Sequence, residues 1–251
     1  MGQDQKRIVL VERDKQLFVR IFENRVMSAA QIEAEFFSGV ARQTFSARLL
    51  KLVYYGFLER KVVASHEAGD YPAYSITPRA LEIVKARYPF RIVKEFCKSD
   101  SVEHDVELVN VRNRLRALRS VAAYYTENML QACEDFSGAD TLAAFRKQNT
   151  DVALEVRKSG KISVVGLEFE RSEKIFDRYT KKLFSYYSDS RTAVVLYVCR
   201  SLAIQRVITR AEESIMGSNR PRCFYALLED VLQPNEKCTF KNLKGDTITL
   251  D

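Results

Sequence analysis

Three acids between residues 151 and 170 are of the types and at the spacing that could do chemistry. Glu168 and Glu170 stand two apart in VVGLEFE, so on a strand their side chains share one face. Asp151 opens DVALEV, seventeen residues before Glu168, and the intervening RKSGK, with its Ser159–Gly160 pair, is a turn that folds one strand back on the other. The three carboxylates are therefore expected to converge. An oxygen-rich cluster of this kind is what Mg²⁺ requires, with Asp151 and Glu168 as its ligands. A metal there would orient a water for in-line attack on phosphorus. Glu107, from the preceding helix, is a fourth candidate. The competing reading is a sheet with one wet face, for which alternate polar residues are ordinary. The strand turns acidic only near its end, however, and strand ends are where sites in such sheets commonly sit.

A second group is basic. Between Val40 and Lys61 the chain carries Arg42, Arg48, Lys51, Arg60 and Lys61 against one acid, Glu59. On a helix inserted in a major groove, Arg42 and Arg48 would donate to guanine edges and Gln43 would read adenine. Thr44 and Ser46 suit phosphate or base contacts, and Arg60 and Lys61 suit phosphates. The alternatives are a solvated helix face or a helical protein-interaction domain with the same core.

The elements that must position these residues follow from periodicity. Leu17, Phe18, Ile21 and Phe22 mark a helix over roughly 12–24. Ser28 caps a second helix, AAQIEAEFF, which Ser38–Gly39 ends. ARQTFSARLLKLVYYG is a third, with Phe45, Leu49, Leu50 and Val53 inward and Gly56 closing it. FLERKVVAS and YPAYSIT are β-prone and flank HEAGD, a hairpin with its tip near Glu67–Asp70 and His66 on it. Thr77 caps a fourth helix that Pro78 opens. Helix, helix–turn–helix, hairpin, helix is the order of a winged helix-turn-helix domain.

Pro89 marks a break, and a domain boundary is placed near 90–100, giving units 1–95 and 96–251. Ser101 opens a long helix with Val106, Val109, Val111 and Leu115 apolar, and with His104 and Glu107 three apart on one face. Tyr124–Cys133 reads as a strand exposing Glu127. DVALEV and ISVVGLEFE are strands, RSEKIFDRYTKKLFSYY a helix, TAVVLYVC a buried strand and SLAIQRVITRAEESIM a helix. CFYALLEDVL reads as a strand and TFKNLKGDTITL as a closing polar hairpin. Strands flanked by helices imply a mixed sheet, so the second part is α/β and the whole chain α+β.

Composition narrows the class. The 251 residues are 46% hydrophobic, 29% charged and 11% aromatic, which excludes a disordered chain. The net charge is +7, and residues 1–100 hold seventeen Lys and Arg against twelve Asp and Glu, so +5 of it lies there. No apolar run approaches the roughly 18 residues of a membrane span, and the charged opening lacks a signal-peptide core. Five scattered cysteines without C-x-x-C read as reduced thiols, and together these features point to the cytoplasm.

Asp151 followed by Glu168-Phe169-Glu170, after a helix bearing Glu107, resembles the PD-(D/E)xK nuclease-like fold. Joined to an amino-terminal winged helix, the chain looks like the replication-relaxation family of bacterial plasmids and integrated mobile elements. The matching stretches are 28–56, EHDVELVNVRNRL at 103–115, and 150–187. Two positions depart from the nuclease motif: Thr150 stands in place of Pro, and Glu170 in place of the Lys that helps activate water. Lys174, Lys181 or Lys182 on the next helix would have to replace that Lys, or else serve as a solvated face or backbone contacts. The resemblance implies a DNA-binding protein of a plasmid or mobile element, with a nuclease-like domain for assembly or substrate recognition. Double-stranded DNA is its partner, with a second copy of the chain or mobile-element proteins as further ones, and no membrane. Two alternatives are a Mg²⁺-dependent endonuclease using Asp151, Glu168, Glu170 and Glu107, and an adaptor that binds proteins through tyrosines such as Tyr54, Tyr55, Tyr186 and Tyr187.

Overall fold

The computed structural model describes residues 8–64, 69–94, 99, 101–134, 140–234 and 237–251. His66, the hairpin-tip residue Glu67 and Cys97 lie outside the described residues. The chain divides into two compact units, Met1–Val106 and Glu107–Asp251. The division falls later than the 90–100 stretch because Val106 packs with Val26, Val63 and Ala73 of the first unit.

In the first unit, α1 (Glu12–Asn24) buries Leu17, Phe18, Ile21 and Phe22, the stripe its spacing predicts. The short β1 (Met27–Ser28) leads into α2 (Ala29–Phe36), where Ser28 Oγ accepts from the Gln31 amide at 3.2 Å and Gln31 Oε1 accepts from the Ser28 amide at 2.9 Å. This reciprocal capping satisfies two donors that a helix start otherwise leaves open. Gly39, at φ 77°, carries the chain into α3 (Arg42–Tyr54). The inward residues of α3 are Phe45, Leu49 and Leu52. Leu50, expected inward, is exposed, and Val53 is half-buried, because a spacing of 45, 49, 52 follows the helical period more closely. β2 (Leu58–Val63) and β3 (Tyr71–Ile76) pair antiparallel, and β1 adds to the far side of β3. α4 (Pro78–Lys85) then starts at Thr77, whose Oγ1 accepts from the Ala80 amide.

The second unit begins within α5 (Val102–Arg116) and wraps a seven-stranded mixed sheet around the helix from Glu107 on, with Val111 and Leu115 in its core. β4 (Val121–Thr126) ends earlier than expected. Thr126 Oγ1 accepts from the Met129 amide and caps α6 (Glu127–Ala132), so Glu127 opens a helix instead of lying on a strand. A helix that periodicity did not reveal, α7 (Asp140–Lys147), follows. β5 (Val152–Lys158) and β6 (Lys161–Glu170) form the expected hairpin, with Val152 opposite Leu167 and Lys158 opposite Lys161. α8 (Phe176–Tyr187) crosses to β7 (Val195–Cys199), and α9 (Leu202–Met216) to β8 (Cys223–Leu227), giving the parallel pairs β6–β7 and β7–β8. The run CFYALLEDVL is strand only to Leu227 and then becomes α10 (Leu228–Leu232). β9 (Cys238–Lys241) and β10 (Thr247–Leu250) close the sheet. The sheet curls until its ends meet: the Ser120 amide donates to the Asp251 carbonyl, and the Asp251 amide to Ser120 Oγ.

Strand alternation assigns the faces. Leu167 and Phe169 join Val111 and Leu115 in the core around α5, so Glu168 and Glu170 face the opposite side. At Gly166 an added Cβ would lie 2.7 Å from Cε1 of the buried Phe145 ring. Gly166→Ala is therefore expected to cost about 1–3 kcal/mol, since a packed core yields poorly to added volume. Thermal unfolding checks this, and an unchanged midpoint would show that Phe145 moves freely. The four described cysteines are buried and form no disulfide, and no described helix is long and apolar enough to cross a membrane.

Candidate functional site

Asp151 and Glu168 both act on Lys182, while Glu170 and Glu107 are paired with other cations. Asp151 lies just before β5, and its Oδ2 accepts from the Phe169 amide at 2.8 Å, across the hairpin between Glu168 and Glu170. Each of those two glutamates, both buried, has its own lysine from α8 or the loop before it. Glu168 Oε1 meets Lys182 Nζ at 3.0 Å, and Glu170 Oε2 meets Lys174 Nζ at 2.7 Å. Glu107 is elsewhere: its Oε1 accepts from Arg171 Nε at 3.2 Å and from Arg200 Nη1, on the helix packed against the other face. The expectation of a converging cluster thus divides into three ion pairs. Burial drives the division, because a desolvated carboxylate is costly unless a cation accompanies it.

The Lys182 pair is the most enclosed. Its ammonium also donates to the carbonyls of Gln148 at 2.9 Å and Asn149 at 2.8 Å, so three oxygens surround it. Tyr186 donates its hydroxyl to Glu168 Oε1, and Thr150 Oγ1 stands 2.9 Å from the Tyr186 oxygen. Burial raises the Glu168 carboxyl to about 7, against the pull of Lys182, and the Asp151 charge adds to the rise. Burial works to lower Lys182, but Glu168, Asp151 and Glu127 outweigh it and the net direction is upward. The pair is therefore ionic above about pH 7, and on acidification Glu168 takes a proton first.

The Lys182 ammonium occupies this donor set. Of the two expected ligands Glu168 is given to Lys182, beside the carbonyls of Gln148 and Asn149, and Asp151 accepts from the Phe169 amide, while Glu170 is given to Lys174. Among the described residues no three His, Cys, Asp or Glu side chains are grouped to hold a metal ion.

The basic residues also separate. Arg42, Gln43, Thr44 and Ser46 are exposed along the first turns of α3, joined on its outer surface by Ala47, Leu50 and Tyr54. Arg48 turns inward. Its Nε donates to Asp14 Oδ1 at 3.0 Å, its Nη2 to Asp14 Oδ2 and to the Val9 carbonyl at 2.9 Å. Asp14 is fully buried, and its Oδ2 also accepts from the Val11 amide at 2.8 Å. Arg48 is thus a clamp between α3 and the start of α1, placed where the helical period directs its side chain inward. Arg60, exposed on β2, lies against Tyr74, whose hydroxyl burial raises while the arginine's charge lowers it. Lys61, next to it, is half-buried.

One polar group escaped sequence reading. Glu212 on α9 is fully buried, its Oε1 accepting from Tyr187 Oη at 2.6 Å, Cys223 N at 3.0 Å and Arg222 N at 3.2 Å, its Oε2 from Tyr225 Oη at 2.7 Å. Four donors satisfy it, and it joins α9 to β8. An acid in the helical run SLAIQRVITRAEESIM gives no sign of this, since its partners are remote in sequence. Comparison with protein-family models, curated proteins and solved structures finds no match to the chain.

Proposed function

We propose that the chain is a DNA-binding protein whose first unit is a winged helix, with α3 as the recognition helix and the β2–β3 hairpin as the wing. The observation that carries this reading is the outer face of α3, where Arg42, Gln43, Thr44 and Ser46 are exposed at its amino-terminal end beside small Ala47. Such a surface lets a helix approach base edges closely while donors and acceptors remain free to read them. The helices α1 to α4, a three-stranded sheet in the order β1-β3-β2 and the basic Arg60 and Lys61 support it. The second unit, in this reading, is nuclease-like in architecture and serves assembly or substrate recognition, as the resemblance to the replication-relaxation family implies. The lysine-filled acid sites support a binding role over cleavage.

The test is binding to duplex DNA over a salt series. Arg42→Ala is expected to weaken binding by about 1–3 kcal/mol without changing the unfolding midpoint, because the side chain is exposed. Parental affinity in that variant would remove α3 from the interface. A second reading, the Mg²⁺-dependent endonuclease, draws on Asp151 at the entry to β5 and Glu168 on the paired β6, with a lysine at hand. It requires Lys182 to leave its three oxygens. Cleavage of supercoiled or branched DNA with Mg²⁺ or Mn²⁺, lost in Asp151→Ala, would establish it.

A further inference from the structure

One end of the second unit concentrates cations that make no ion pair among the described residues. Strands β6, β7 and β8 run parallel, and the starts of β7 and β8 lie level with Gly166 inside β6, with the Gly166 amide bonded to the Val194 carbonyl and the Val195 amide to the Arg222 carbonyl. At that level a cleft of about 610 Å³ opens between the α8–β7 loop, the α9–β8 loop and the β9–β10 turn, and Arg220 and Lys244 line it. Arg222 fixes its wall, its Nη1 donating to the carbonyls of Tyr186 at 2.8 Å and Asp189 at 2.9 Å. From the same end the β5–β6 hairpin projects, carrying Arg157, Lys158 and Lys161 around its turn. Arg119 lies beside it, because the Arg157 amide donates to the Ser120 carbonyl at 2.7 Å.

These six side chains are exposed, and none makes an ion pair or a side-chain hydrogen bond among the described residues. Of the nearby acids, Asp246 accepts from Asn242 Nδ2 at 3.0 Å and Glu155 from Tyr125 Oη at 3.0 Å, while Asp251, joined to Ser120 through its backbone, leaves one carboxylate among six cations. The carboxylates Glu168 and Glu170 sit toward the opposite end of β6. We infer that this end of the second unit is a binding face for the phosphodiester backbone of DNA, with Arg119, Arg157, Lys158, Lys161, Arg220 and Lys244 contacting phosphates.

Extent and shape select the ligand. From β5 to β8 spans three inter-strand spacings, roughly 14 Å, too far for one phosphate to bridge but matched by successive phosphates of a strand. Lys161 precedes Gly166 by five residues, so the hairpin reaches about 17 Å past the level of the cleft. A flat bilayer would touch the hairpin and miss the cleft, whereas a ridged polyanion fills both. The inference rests on the reading of the chain as a DNA-binding protein and adds a second contact surface to it.

The experiment compares the full chain with two variants, binding a duplex of several helical turns over a salt series. One variant carries Lys158→Gln, Lys161→Gln, Arg220→Gln and Lys244→Gln; the other is Arg42→Ala. The fourfold variant is expected to unfold at the parental midpoint and to bind more weakly, its slope of log affinity against log salt shallower by about 3. A parental slope and affinity in a folded fourfold variant would overturn the inference while leaving α3 untouched. Parental binding by Arg42→Ala with the slope lost in the fourfold variant would sustain the inference and overturn the α3 reading. A parent that binds no DNA overturns both. Binding to vesicles of anionic phosphatidylglycerol, with the duplex slope unchanged by the four substitutions, would assign the cations to a lipid surface and overturn it as well.

Discussion

Lys182→Met is expected to destabilise the second unit by about 3–5 kcal/mol at about pH 8, the cost of leaving one partner of a buried ion pair alone. Methionine keeps much of the volume but withdraws the ammonium from Glu168 and from the carbonyls of Gln148 and Asn149. For a unit of this size the unfolding midpoint should fall by about 10 °C. The pH dependence identifies the cause. Glu168 has a folded value of about 7 against an ordinary 4.5, so the folded state holds a proton that the unfolded state has released. Between those values stability therefore falls as pH rises, by about 3 kcal/mol in all for this group. In Lys182→Met the carboxyl has lost its cation, rises further, and the decline continues above pH 7. Glu168→Gln should abolish the decline between 4.5 and 7. Urea unfolding across pH measures all three proteins, and a Lys182→Met profile superimposable on the parent's would refute the pairing.

Arg48→Ala should be the most damaging single change in the first unit, about 3–5 kcal/mol, although its position on α3 suggests a DNA contact. Removing the guanidinium strands a fully buried Asp14 and takes a donor from the Val9 carbonyl. Arg48→Lys should recover only part of the loss, since one ammonium cannot reproduce the two-pronged contact with Asp14. On the proposed DNA-binding reading, affinity should fall in Arg48→Ala through loss of fold and in Arg42→Ala through loss of contact. Thermal unfolding beside the binding curve separates them. An Arg48→Ala protein that melts with the parent but binds weakly would return Arg48 to the DNA face.

Much of the scaffold was legible because its signals are local. The apolar stripe of α1, the Ser28 and Thr77 caps, the glycine after α2 and the alternation in β5 and β6 each act within a few residues. The misplacements have local competitors. Thr126 and Glu127 start a helix where Tyr124 and Tyr125 favour strand, and Leu228–Leu232 turns helical after a strand of similar composition. Leu50 reads as core on hydrophobicity alone, yet one step around the helix puts it outside.

The candidate sites show the limit more sharply. Sequence alone determined that Glu168 and Glu170 share a face, that Asp151 sits across a hairpin from them, and that the basic excess lies mainly in the first hundred residues. Only the tertiary structure decided which charge meets which. Lys182, fourteen residues from Glu168, reaches it because α8 crosses back over the sheet, and Arg48 meets Asp14 because α3 packs on the start of α1. Whether a charged side chain reads a ligand or closes an ion pair depends on burial and on partners distant in sequence. Periodicity carries the first of these weakly and the second not at all.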